Sequence, residues 1–407
     1  MRSFALIGEH LGHSYSPEIH NMLWGYEYGL APMRPGDLPD FFARREFQGI
    51  NVTIPYKQAV IPFCDALGET ARRAGSVNTI VKMPDGTLFG DNTDLFGFQY
   101  MLQRAGISLE GRHVLVLGGG GASRTAQLAA EDAKAASLTV AQRSGIVNYG
   151  NIYEKCSHAQ VIVNATPVGM FPEPEAQLVD LSRFPACEAV VDLIYNPLHT
   201  KLLQQADALY RKSANGLAML VAQAAAAGEI FTGASYNDGD IERVLQAMRQ
   251  KLENWVIIGM PGCGKSTVGA YLAGRAGREL VDIDREIERR AGMACGEIIT
   301  QKGEAYFRAL ESEITKETGA KTGLVIATGG GTVLKPENIF ALRQNGRLLW
   351  IQRDATRLAT YGRPLSQSLL ELEQARTPIY QGIADAVIHH NENWEKLQQK
   401  SWEAFNL

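Results

Sequence analysis

The sequence predicts an α/β protein built on parallel sheets and divided into two parts. Three observations carry that expectation. Short runs of strand character alternate with helical stretches almost throughout: Phe4–Ile7, Gly49–Ile54, Asn78–Val81, His113–Leu117, Ser137–Ala141, Val161–Asn164, Ala189–Leu193, Trp255–Ile258, Leu324–Ala327 and Leu348–Gln352. Two glycine-rich loops of different design each follow such a run, about 140 residues apart: Gly118-Gly119-Gly120-Gly121-Ala122, and Gly259-Met260-Pro261-Gly262-Cys263-Gly264-Lys265-Ser266. Finally, at 407 residues the chain is longer than one hydrophobic core usually grows.

The bulk composition narrows the ligands. Forty basic against 44 acidic side chains leave a net charge of −4, which supplies no bulk attraction to nucleic acid or to an anionic membrane. Small molecules are therefore the expected partners, and the oligomeric state is left open. Cys64, Cys156, Cys187, Cys263 and Cys295 show neither metal-ligand spacing nor a paired framework, which predicts reduced thiols and a cytoplasmic protein. The opening Met1–Gly8 reads as a first strand rather than a signal segment, and no stretch has the apolar length of a membrane helix.

The polar helical stretch Asp240–Lys251 ends just before Trp255 opens a new strand, so the boundary between the two parts is placed at about residue 252. Within the first part, residues 1–100 together with 214–252, which include the Ala-rich helix Ala214–Phe231, form one lobe, and residues 101–213 form a second.

In that second lobe, His113–Leu117 reads as a buried strand, Gly118–Gly121 as a tight turn and Ser123–Ala130 as the start of a helix whose N–H groups receive a pyrophosphate. Roughly 20 residues further on, a site for NAD carries an acidic residue for the ribose hydroxyls. Here the strand ends in Gln142-Arg143-Ser144. A guanidinium at that place suits a 2′-phosphate, hence NADP.

Hydroxyls, amides, a lysine and a carboxylate cluster ahead of this loop, in Ser14-Tyr15-Ser16-Pro17, Asn51-Val52-Thr53-Ile54-Pro55-Tyr56-Lys57, Val77-Asn78-Thr79 and Gly90-Asp91-Asn92-Thr93-Asp94. Taken singly these are caps, turns and a surface lysine. In this order they resemble the shikimate dehydrogenases over nearly all of residues 1–250, and Asn164–Met170, Asp192–Tyr195 and Gly216–Gln223 extend the likeness. The resemblance implies a two-lobed dehydrogenase, an α/β substrate lobe plus a Rossmann-like dinucleotide lobe. It implies that Ser14, Ser16, Thr53, Asn78, Asp94, Tyr195 and Gln223 hold the substrate, with Lys57 and Asp94 as the catalytic pair. Gly118, Gly119, Gly120, Gly121, Ala122, Arg143 and Gly216 then face NADPH. The Ser-x-Ser pair, rather than Ser-x-Thr, points toward shikimate over quinate. Two departures stand out: Ser144 is followed by Gly145–Gly150, without the usual second basic residue or a full helix, and the segment between Asn21 and Gly49 is trimmed.

The second glycine loop has the form G-x4-G-K-S between a strand and a helix, the context of a P-loop. Its backbone N–H groups wrap phosphates, Lys265 reaches the β and γ oxygens, and the Ser266 hydroxyl ligates Mg²⁺. Gly262, Cys263, Gly264 and Thr267 complete the expected ATP site. Downstream come Val281-Asp282-Ile283-Asp284, Gly303–Arg308, Ala327–Gly331, Gly362-Arg363-Pro364-Leu365 and Arg376–Tyr380. This ordered set resembles shikimate kinase over about residues 254–395, which implies a P-loop kinase domain with a parallel sheet, assigned to 253–407. By that resemblance Asp284 binds the shikimate hydroxyls and accepts the reacting proton, and Arg308 and Arg376 grip the ring carboxylate. Gly330 and Gly331 let backbone approach the ring, Asp282 acts near Mg²⁺, and Arg363 closes over ATP from a lid. The lid between Arg353 and Arg363 is short, with Arg357 as a candidate second base, and His389-His390 reads as surface.

Both families handle the same acid in consecutive steps, so the reading is a bifunctional enzyme of aromatic amino-acid biosynthesis. Two alternatives stand beside it: an active kinase carrying a non-catalytic, regulatory first half, and a quinate/shikimate dehydrogenase in the first half.

Overall fold

The computed structural model describes residues 3–12, 14–354, 369–390 and 393–406. The chain separates into two compact units, Met1–Asn196 with Thr200–Met248, and Pro197–His199 with Arg249–Leu407.

The first unit holds two sheets. One contains β1 (Phe4–Gly8), β2 (Tyr28–Pro32), β3 (Gly49–Val52), β4 (Ala66–Leu67), β5 (Thr79–Lys82) and β6 (Leu88–Asp91), in the order β2-β1-β3-β5-β6-β4. β1 runs parallel to β2 and β3, but β5 is antiparallel to both β3 and β6. The expectation of parallel sheets therefore gives way to a mixed sheet here. The reason is local: Met83–Thr87 is a tight turn, with Gly86 at φ +84° and the Thr87 N–H donating to Asp85 Oδ1 at 2.9 Å, and a connection that short permits only a hairpin. The segment read as trimmed, between Asn21 and Gly49, carries β2 and the helix Leu38–Arg44, whose Phe41 and Phe42 stack on Phe47 and Phe63.

The helix Asp94–Arg104 packs on Leu217–Thr232, which also covers Ser16–Trp24. Gly228 makes this last contact possible, since a Cβ there would lie 1.9 Å from Trp24 Nε1. On Ser16–Trp24, His20 is fully buried, stacked on Tyr28 at 4.1 Å with Nδ1 2.8 Å from the Tyr26 hydroxyl. Burial pushes its pKa down to about 3. The folded state thus keeps His20 neutral while the unfolded chain takes a proton near pH 6.5, so its contribution to stability is complete above about pH 6.5 and is lost as pH falls toward 3. The sum over that window is up to roughly 5 kcal/mol. His20→Phe keeps the ring stack, and the urea midpoint of the first unit should then fall much less between about pH 7.5 and about pH 4.5 than in the wild type. Parallel losses in the two proteins would refute this.

The other sheet of the first unit is β7 (His113–Leu117), β8 (Ser137–Ala141), β9 (Val161–Asn164), β10 (Ala189–Asp192) and β11 (Lys212–Asn215), all parallel in the order β11-β10-β9-β7-β8. The order reverses beside β7, whose carboxyl end carries the first glycine loop. After Arg143 the expected gap in helix is real but short. Asn148 and Asn151 staple a turn by donating to the carbonyls of Gly145 and Ile146, and a five-residue helix, Ile152–Cys156, follows.

The second unit is built on β12 (Asn254–Ile258), β13 (Leu280–Asp282), β14 (Val325–Ala327), β15 (Gly346–Gln352) and β16 (Ala386–His389), parallel in the order β13-β14-β12-β15-β16. Trp255 stacks on Phe405 at 5.0 Å within its core. The order reverses beside β12, which feeds the second glycine loop. No described helix is long and apolar enough to cross a membrane.

Candidate active sites

In the mixed sheet, the carboxyl ends of β1 and β3 lie side by side, and Thr53 leaves β3 with its N–H donating to Ile7 O at 2.9 Å. The loop after β3 brings Lys57 to Asp94, the first residue of the Asp94–Arg104 helix: Nζ donates to Oδ2 at 2.6 Å. The other oxygen, Oδ1, accepts from Asn78 Nδ2 at 2.8 Å. Asn78 cannot turn its amide over, because its Oδ1 accepts from Thr93 N–H at 2.8 Å. The pair is only partly screened, at 24% exposure for Lys57 and 11% for Asp94, so the ammonium keeps a face toward solvent while the carboxylate is held. The helix N-terminus adds a favourable field for that carboxylate. Gln223 sits behind the same helix, its Cβ in close approach to Gly97.

Ser14 and Ser16 hydroxyls are 3.1 Å apart at the start of the Ser16–Trp24 helix, and the Tyr15 ring between them in sequence lies 6.1 Å from that of Tyr195. Burial pushes the Tyr195 phenol up, so its O–H stays a donor through the neutral range. Gly216 backs this region, where a Cβ would strike Leu193 O at 2.1 Å. In the parallel sheet, Gly118 has φ +107° and a Cβ there would meet Thr166 Cγ2 at 2.8 Å, while Gly120 and Gly121 face open space at the start of the Gly121–Asp132 helix. Open glycines at a helix N-terminus suit a pyrophosphate. Gln142 packs over Gly119 and Arg143 is exposed beside it, so the end of β8 offers a guanidinium and no carboxylate.

In the second unit, a cavity of about 390 Å³ opens above the carboxyl ends of the strands, lined by Pro261, Gly262 and Gly264–Thr267 of the loop, Asp284, Arg308, Glu311, Gly329–Gly331 and Arg376 among others, with Cys263 buried behind the loop. Gly262 and Gly264 take φ +80° and +104°, which turn successive N–H groups of the loop toward one point. Lys265 Nζ donates to the carbonyls of Gly259 and Met260 at 3.0 and 2.9 Å. Arg308 lies inside the helix Glu304–Ala320, donating to Glu311 Oε2 at 2.7 Å. Arg376, 5% exposed in Leu369–Ile383, donates to Gly330 O at 2.9 Å. A Cβ on Gly331 would lie 2.5 Å from the Arg308 guanidinium. Ser266 and Asp284 both line the cavity, and a single hydroxyl such as that of Ser266 suits Mg²⁺, which takes its remaining ligands from phosphates and water. Asp282 has another partner, capping the helix Ile283–Ala291 by accepting from Arg285 N–H at 3.2 Å.

A family model for the shikimate dehydrogenase substrate binding domain matches residues 6–80. The chain is 34% identical to the NADP(+) shikimate dehydrogenase of Clostridium perfringens over 270 residues, which cover 61% of this chain and 99% of that one. The chain belongs to the shikimate dehydrogenase family. The solved structure of shikimate dehydrogenase 1 from Peptoclostridium difficile superposes with a TM-score of 0.57 at 31% identity, covering 61% of this chain and 98% of that one. The Thermus thermophilus shikimate 5-dehydrogenase, solved with NADP(H) and shikimate, gives 0.54 at 33%, with 61% and 99% covered. The shikimate kinase model matches residues 261–405, so a kinase domain follows the dehydrogenase in one chain.

Within the dehydrogenase, the fold gathers Lys57, Asn78 and Asp94 into one hydrogen-bonded group and Ser14, Ser16 and Tyr195 into another neighbourhood. Sequence reading missed the buried chain behind them. Tyr28 donates to Asn51 Oδ1, Asn51 to Thr79 Oγ1, and Thr79 to Asn78 Oδ1, at 2.7, 3.0 and 2.9 Å. In the kinase domain it missed Glu311, 1% exposed and bound by Arg308 and Thr332, although the i, i+3 spacing from Arg308 was a signal. His390 is not a bystander at the surface: Nδ1 lies 2.9 Å from Cys263 O of the P-loop. Arg363 and Arg357 lie outside the described residues.

Proposed function

We propose that the protein reduces 3-dehydroshikimate to shikimate with NADPH and then phosphorylates shikimate to shikimate 3-phosphate with MgATP. The observation that carries the first step is the Lys57 ammonium held 2.6 Å from Asp94, whose second oxygen is held by Asn78. NADPH, when bound at the Gly118–Ala122 turn, supplies the hydride. Lys57 stabilises the alkoxide that develops at C3 and donates its proton there, while Asp94 fixes the ammonium. Ser14, Ser16, Thr53, Asn78, Tyr195 and Gln223 would hold the ring and its carboxylate, and Arg143, with no acid beside it, favours the 2′-phosphate.

The second step is supported by the P-loop cavity and its two arginines. Arg308 and Arg376 grip the shikimate carboxylate, and Asp284 takes the proton of the attacking hydroxyl. Lys265 offsets the charge gathering on the transferred phosphoryl group, and Mg²⁺ held by Ser266 would neutralise the β and γ oxygens. The hydroxyl made by the first site is the nucleophile of the second. A reducing cytoplasm suits the five free thiols.

The test is to incubate the purified chain with 3-dehydroshikimate and NADPH or NADH, follow nicotinamide absorbance, add MgATP and shikimate kinase substrates in turn, and detect product by mass spectrometry. Oxidation of NADPH in preference to NADH, followed by shikimate 3-phosphate, is expected. Phosphorylation of added shikimate without oxidation of either cofactor would sink the dehydrogenase reading, and equal turnover of quinate would move it to a broader substrate.

A further inference from the structure

Asp192 is wholly buried at the carboxyl end of β10, and the roles assigned above do not use it. Its carboxylate has three neutral donors: Thr200 Oγ1 to Oδ2 at 2.6 Å, and Ile194 N–H and Asn164 Nδ2 to Oδ1 at 3.1 and 3.0 Å. The described residues place no ion-pair partner on it. A charge removed from water with only neutral donors is costly, and burial pushes this carboxyl up to about 6. Packing alone would be served by an apolar side chain, so the acceptor oxygens are what the site uses.

What it organises is visible from the donors outward. Asn164 ends β9, and Asp192 takes one hydrogen of its amide, leaving Asn164 Oδ1 turned to the next loop. There it accepts from Thr166 N–H and Thr166 Oγ1 at 3.1 and 2.7 Å. Thr166 Oγ1 in turn accepts from Val168 N–H at 3.2 Å. This is the loop that walls the first glycine turn, for Ala165 O and Thr166 Cγ2 are the atoms a Cβ on Gly118 would meet, at 3.1 and 2.8 Å. On its other side Asp192 fixes Ile194, the residue before Tyr195, whose carbonyl accepts from Gly216 N–H at 3.0 Å. Thr200, the third donor, caps the helix Lys201–Ala208.

We infer that Asp192 is a positioning residue of the hydride site: its buried Oδ1 anchors the amide of Asn164, and through it the Thr166–Val168 wall of the dinucleotide turn. The inference rests on the reading of the Gly118 turn as the NADPH site. Replacing Asp192 by Ala removes both acceptor oxygens, so Ile194 N–H and one hydrogen of the Asn164 amide lose their partner, whereas Asn keeps an Oδ1 that receives both while the Thr200 hydroxyl turns to accept from its N–H₂.

The experiment uses the full chain, in wild-type form and as Asp192→Asn, Asp192→Ala and Thr200→Val. NADPH binding is read by fluorescence titration, dehydrogenase KM and kcat by absorbance, and the melting of the first unit by circular dichroism. The expected result is an NADPH Kd and KM raised about tenfold in Asp192→Ala and kept within about twofold of wild type in Asp192→Asn and Thr200→Val, with the melting transitions retained. Unchanged Kd and KM in Asp192→Ala overturn the inference, and so does a rise in Asp192→Asn of about tenfold. So does a fall in kcat with both KM values unchanged, which signals a smaller folded fraction rather than a displaced wall. Wild-type protein that binds no NADPH would instead fail the underlying reading of the turn, and the inference with it.

Discussion

Lys57→Met is expected to lower the rate of 3-dehydroshikimate reduction about 10³-fold, within the range that a positioned proton donor contributes. The methionine fills much of the lysine's volume, and Asn78 still holds Asp94 Oδ1, so the pocket should keep its shape. What disappears is the only group in that hydrogen-bonded trio able to donate a proton to an alkoxide and to offset its charge. Lys57→Arg separates these two duties, since a guanidinium supplies charge but does not give up its proton. Arginine activity close to that of methionine would assign the effect to proton transfer, and substantial recovery would assign it to electrostatics. The NADPH KM should stay within a factor of about two, because the proposed role puts Lys57 on the ring rather than on the dinucleotide turn. A Lys57→Met protein within tenfold of wild type would remove Lys57 from the chemistry. Kinase turnover in the same sample reports on the integrity of the rest of the chain.

The second large effect is expected in the other unit. Lys265→Met should reduce shikimate phosphorylation on the order of 10³-fold, as loss of a preorganised cation at a phosphoryl group does. Lys265 donates to Gly259 and Met260 carbonyls, so its removal also leaves two loop acceptors without that donor. For that reason ATP affinity is to be measured separately, by calorimetry. A lowered kcat with ATP still bound places the lysine at the transferring phosphate, whereas loss of binding alone would reduce it to a loop support. Dehydrogenase kinetics should be untouched.

Much of this was legible from the chain alone. Three strands, His113–Leu117, Ser137–Ala141 and Val161–Asn164, have the bounds the sequence predicts; the first and third are buried almost throughout and declare themselves as apolar stretches, whereas Ser137–Ala141 is a half-buried edge strand. Short or half-polar strands did not: β6, β11 and β16 carry Gly, Asp, Lys, Ser, Asn or His and are fixed by their neighbours rather than by propensity. The local motifs likewise announced the two glycine loops, because a positive φ before a helix requires glycine, as at Gly118 and Gly264.

What the sequence determined, then, is the set of chemical groups and the local turns that present them: a lysine and a carboxylate, a glycine-rich P-loop, and two arginines. The tertiary structure decided which groups meet. Lys57 and Asp94 are 37 residues apart and Cys263 and His390 are 127 apart, and no periodicity links such positions. The buried acceptors Asp192, Asn51 and Glu311 belong to the same class. Each looks like an ordinary polar residue in the chain, and only burial, by withdrawing water as a partner, turns its few hydrogen bonds into constraints on the site.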